Sequence, residues 1–237
     1  MRTLAAGLAV ALGCLAAAEA GAMEAGAGAS GTAGSGGYRR LALFADADWT
    51  GRKVEPYAWV ETSFSRDLRQ FALGGGAWNN WTDAERGKAG LGFAGGRYDS
   101  GQDVSSLIAE LGAEKDLDAA TLGAEWRLTY GTLSGSRGTP ALENRGNSRS
   151  RGRRGTADEL DSFAVNSLAA YGRKRLDLGV VGLRLGVDAP SGGDAIVSET
   201  LSLRIPVGTR VWVTPAVTLE QGGSDAVYGS LSVYCRL

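Results

Sequence analysis

The ten residues LGAEWRLTYG, Leu122 to Gly131, alternate with period two. On a strand, Leu122, Ala124, Trp126, Leu128 and Tyr130 share one face, while Gly123, Glu125, Arg127 and Thr129 share the other. Two environments accept such a ribbon. In one, the apolar face meets a core and the charges meet water. In the other, the apolar face meets lipid and the charges line a closed interior.

The same alternation recurs from Tyr38 to the C-terminus. RLALFADADW sets Leu41 and Leu43 against Asp46 and Asp48. VVGLRLGVDAP sets Leu183 and Leu185 against Arg184 and Asp188. VSETLSLRIPVG sets Leu201 and Leu203 against Arg204, RVWVTPAVTLEQ sets Val217 and Leu219 against Glu220, and AVYGSLSVYCRL sets Leu231 and Val233 against Arg236. Eleven segments follow this rule: 38–49, 56–65, 70–81, 87–98, 104–115, 120–133, 162–174, 178–189, 195–207, 211–221 and 226–237. Residues 105–126 also admit a helical period through Leu107, Leu111, Glu110 and Glu114, but Gly112 and the strand-like continuation oppose it.

Three features choose lipid over a sandwich core. The segments run about 10–13 residues, whereas soluble strands average about 5–6 and a tilted bilayer crossing needs about 9–11. The polar face mixes small residues with charges of both signs and little Lys, as a crowded lumen with internal ion pairs requires. Aromatics gather near segment ends, at Trp49, Trp78, Trp81, Tyr98, Tyr130, Tyr171 and Tyr234, as in an interfacial girdle, although Trp59 and Trp212 do not fit it.

Residues 1–20, MRTLAAGLAVALGCLAAAEA, read as a secretory signal: Arg2, an apolar run from Leu4 to Ala17, and the small-x-small site Ala18-Glu19-Ala20. Residues 21–37, GAMEAGAGASGTAGSGG, have no apolar period and are expected to form a flexible Gly/Ala-rich leader. After cleavage Cys235 stays alone and reads as a small apolar strand residue. The longest connection, about 134–161, carries Arg137, Arg145, Arg149, Arg151, Arg153 and Arg154.

By this pattern residues 38–237, with the secretory signal, resemble bacterial outer-membrane β-barrel proteins as a class. The resemblance implies an all-β, antiparallel up-and-down transmembrane β-barrel and an even strand number, hence 10 or 12 strands. Eleven segments therefore contain one error. Tight turns and looser loops alternate along the chain, and counting back from the C-terminus places the error before residue 118. Either size leaves a narrow lumen.

The chain has no histidine, so Ser–His, His–Asp and His-based metal sites are unavailable. A carboxylate mechanism through Glu125, Glu110 or Asp48 is weaker than a structural role for the same charges. GLGFAG at 90–95 matches G-x-G-x-x-G but no helix follows it, so no dinucleotide cofactor is expected. The expectation is a non-enzymatic envelope protein in the bacterial outer membrane, without cofactor or metal. Its lumen would carry the cluster Asp46, Asp48, Glu125, Arg127, Arg184, Asp188, Arg204, Glu220 and Arg236. The arginine loop would contact lipopolysaccharide phosphates or an acidic polysaccharide. Nucleic acid is excluded because the secretory signal exports the chain. The rivals are a structural or adhesive barrel without conduction and a soluble periplasmic β-rich binding domain.

Overall fold

A computed structural model describes residues 23–51, 53–134, 161–222 and 225–237. The alternating segments become β2 (Arg39–Trp49), β3 (Val54–Ser65), β4 (Leu68–Asn80), β5 (Glu85–Tyr98), β6 (Asp103–Leu117), β7 (Ala120–Ser134), β8 (Asp161–Leu176), β9 (Gly179–Pro190), β10 (Ile196–Val207), β11 (Val211–Gln221) and β12 (Ala226–Arg236). A further strand, β1 (Met23–Gly34), precedes them. Each strand pairs antiparallel with its chain neighbours, and β1 joins β12 to close the cylinder. Twelve strands satisfy the even count. Stretch 105–126 is β6 running into β7, so the helical alternative fails.

Register fixes the faces. Tyr130 lies opposite Leu107 and Ala164, while Glu125 lies opposite Gly112 and Ala169. Propagated round the ring, this puts most Leu and Val outside and most of the charges inside. Leu91 is 73% exposed and Leu107 64%, and no large side chain among the described residues is fully buried. A sandwich would bury those residues between two sheets. Here they form an outer apolar surface, and the backbone hydrogen bonds are satisfied around a ring that has no edge.

The leader expectation for 21–37 is overturned over most of its length. Met23–Gly34 is an integral strand, matched in register to β2 (Ala29 opposite Leu43) and to β12 (Ala29 opposite Val233). The Leu237 amide donates to the Ala25 carbonyl at 2.9 Å, fastening the chain end onto it. Its small residues suit this place. A Cβ on Gly26 would stand 1.9 Å from the Tyr234 hydroxyl, and one on Gly28 2.5 Å from the Phe44 ring. The inward glycines therefore leave room for rings reaching over from β12 and β2.

The girdle reading also needs correction. Trp49 and Tyr130 do face outward, but register turns Trp78, Tyr98, Tyr171 and Tyr234 into the lumen. Strand ends are shared by both faces, so position along a strand does not decide which way a ring points.

Both described termini lie on the rim formed by the connections 50–53, 81–84, 118–119, 177–178 and 208–210. The opposite rim joins Ser134 to Asp161. Residues 1–20 and the arginines Arg137, Arg145, Arg149, Arg151, Arg153 and Arg154 lie outside the described residues.

Candidate functional site

Twelve inward faces meet in the lumen. Every charge expected there faces it by register: Asp46 and Asp48 from β2, Glu125 and Arg127 from β7, Arg184 and Asp188 from β9, Arg204 from β10, Glu220 from β11 and Arg236 from β12. Most of the partners they meet lie outside that set. Only Arg184 and Glu125 pair within that set among the described residues, at 2.7 Å. Arg127 donates instead to Glu110 at 2.7 Å, and Arg236 pairs with Glu24. The Arg204 guanidinium lies 4.8 Å above the Trp212 ring and 5.6 Å from Tyr234. Tyr234 also donates to Asp46 at 3.2 Å and stacks on Phe44. Trp212, a misfit as a girdle residue, is thus part of a lumen cluster.

The centre of the charge network is Glu114, which sequence reasoning did not select for the lumen. It accepts from Arg86 Nε at 2.6 Å, Tyr171 Oη at 2.7 Å and Arg173 at 2.7 Å. Glu114 and Tyr171 stand on β6 and β8, with β7 between them. Tyr171 crosses that gap because Gly123 lies beneath it; a Cβ there would come within 2.3 Å of the ring. Lys88 extends the network, its Nζ 3.6 Å from Glu125 and 3.9 Å from Glu110. Arg86 rests 4.3 Å above the Trp78 ring. The missed signal was the spacing of Glu110, Gly112 and Glu114, which on a strand is one face with a gap for a neighbour's side chain.

Exposure within these pairs is unequal. The Arg127 side chain is 51% exposed and Glu110 7%; Arg173 is 46% exposed and Glu114 3%. Carboxylates are sunk into the β6–β7 wall and guanidiniums stand over them. Six strands round the ring from β8, β2 presents Asp46 and Asp48. The lumen therefore sets a wall of half-exposed guanidiniums over buried carboxylates against the acidic Asp46 and Asp48, whose strand also carries Arg40 paired with Glu61. A cavity of 460 Å³ opens along the first wall, toward the Ser134–Asp161 rim, lined by Glu125, Arg127, Thr129, Ser167, Arg184 and Asp188. Among the described residues, no group of three His, Cys, Asp or Glu side chains is placed to hold a metal ion.

Glu114→Gln is expected to lower stability by about 2 kcal/mol, because it leaves Arg86 and Arg173 without their shared counter-charge while both remain partly solvated. Urea titration in lipid vesicles, followed by tryptophan fluorescence, measures it. A midpoint equal to wild type would show that the cluster carries no stabilising energy.

A closed antiparallel cylinder, apolar outside and charged inside, is the fold of the bacterial outer-membrane β-barrels. Solved structures of that class superpose along the chain. The NanC porin matches with a TM-score of 0.62 at 8% identity, covering 89% of this chain and 100% of that one. The KdgM porin gives 0.59 at 8% identity, over 89% and 98%. The translocator domain of the autotransporter NalP from Neisseria meningitidis gives 0.59 at 15% identity, over 100% and 97%. KdgM has also been solved in complex with disordered oligogalacturonate. No family model and no curated protein matches the chain. At these identities the likeness is one of fold.

Proposed function

We propose that the chain is a non-enzymatic outer-membrane pore whose narrow lumen passes small acidic solutes, acidic oligosaccharides among them. One observation carries this reading: the half-exposed guanidiniums of Arg127, Arg173 and Arg184 stand over carboxylates that are more deeply buried. A solute moving along that wall meets Arg forks, which bind carboxylates bidentately. The KdgM complex with oligogalacturonate is a precedent within the fold. In this reading residues 1–20 direct export and are removed. The termini lie on the periplasmic rim, and the Ser134–Asp161 rim faces outward, as short turns and long loops are arranged in the class.

The test is current through planar bilayers. The full mature chain is expected to give discrete conductance steps. Added oligogalacturonate should interrupt them, while a neutral oligosaccharide of equal length should not. Silence at every voltage removes the pore and leaves a structural barrel. Equal interruption by both sugars removes the acidic preference.

A further inference from the structure

The outer surface carries an arrangement that the pore does not explain. Arg69 on β4 and Arg97 on β5 are direct register partners. Both lie on the lipid-facing side, where Arg69 is also opposite Phe64, and the strands continue away from them as Phe71, Leu73 and Phe93, Leu91. Both arginines are exposed. Like charges placed directly opposite on one face repel. Arg97 has Asp103 at 3.7 Å, and Arg69 has no ion-pair partner among the described residues. Arg66, in the turn joining β3 to β4, adds a third guanidinium at the same rim, where Asp67 and Asp99 are also exposed in adjoining turns. A sequence that opposes two arginines on an apolar face is stabilised when an anion sits between them.

We infer that Arg69 and Arg97 form a binding site for the phosphorylated headgroup of a lipid in the outer leaflet, its acyl chains lying over Phe71, Phe93 and Leu73. This rests on the membrane reading above, and in particular on the Ser134–Asp161 rim facing outward. Three features select a lipid over a soluble phosphate. The guanidiniums end an apolar face, they stand at headgroup height above aromatic side chains, and the face below them matches acyl chains. Paired Arg forks supply the charge-assisted hydrogen bonds that phosphate oxygens accept.

The test compares the full mature wild-type chain, Arg69→Gln/Arg97→Gln and Lys174→Gln. Lys174 is an outward-facing cation at the opposite rim. Each is folded into phosphatidylcholine vesicles with and without a minor fraction of diphosphoryl lipid A. Native mass spectrometry then reads the lipid retained on each barrel. Wild type and Lys174→Gln are expected to retain lipid A over phosphatidylcholine, and the double variant to retain about tenfold less. In plain phosphatidylcholine the double variant should unfold at equal or higher urea than wild type, because repulsion is relieved. With lipid A that order should reverse. Equal lipid A retention by wild type and double variant overturns the site. So does equal retention of lipid A stripped of its phosphates, which would show apolar contact alone. Failure of the wild type to give a heat-shifted folded form in plain phosphatidylcholine overturns the membrane reading and this site with it.

Discussion

A chain lacking Met23–Gly34 is expected to give no closed barrel at all. The strand has nine register partners on β12 and eleven on β2. Removing it exposes two strand edges. In a bilayer each unsatisfied backbone group costs several kcal/mol, so the loss exceeds the roughly 5–15 kcal/mol that stabilises a typical folded domain. Re-closure of β2 onto β12 would need an eleven-strand ring, in which those two neighbours run parallel and every ladder bond must be re-formed. The measurement is a heat-shift gel after folding into vesicles: the wild-type chain migrates differently before and after boiling, and the deletion should not. A leader that merely trails from the barrel would be dispensable, so a heat-shifted band from the deleted chain would show that β1 is not structural.

That strand also marks where the sequence stops being legible. The other strands stand out because Leu, Val and Phe alternate with small or charged residues, a contrast of several methylene groups at many of the steps. On β1 the contrast is Ala25, Ala27 and Ala29 against Gly26, Gly28 and Ser30, one methyl or less. The period is present, but the apolar transfer energy behind it is small. What holds the strand is the ring: backbone bonds on both edges, and space left for Phe44 and Tyr234, residues far from it in sequence. Inward placement of Arg127, Arg184 and Asp46 followed from the pleat alone. Their partners did not, because pairs such as Arg184–Glu125 and Tyr171–Glu114 skip a strand and depend on the stagger between strands. Trp212 was unplaceable for the same reason, since its neighbours Arg204 and Tyr234 come from strands on either side.

Changing the guanidinium wall should alter what the lumen binds in a direction that depends on which partner is removed. Arg127→Gln/Arg184→Gln takes away two half-exposed guanidiniums beside the 460 Å³ cavity. Each Arg–carboxylate contact with a passing anion is a charge-assisted hydrogen bond, so oligogalacturonate block should weaken about tenfold for each residue lost. The permeability ratio of chloride to potassium should fall by about fivefold at low salt and by less at high salt, because screening shortens the reach of the remaining charges. Folding should survive, since Lys88 remains within 3.9 Å of Glu110 and 3.6 Å of Glu125. Glu125→Gln should do the reverse. It frees Arg184 from its 2.7 Å partner, so both acidic-sugar block and chloride preference should rise. Reversal potentials across a salt gradient, with blocking constants from the same bilayers, measure all of these. Charges that only brace the strands would make both variants less stable and leave selectivity unmoved. Opposite shifts from the two variants would arise only if solutes travel against this wall.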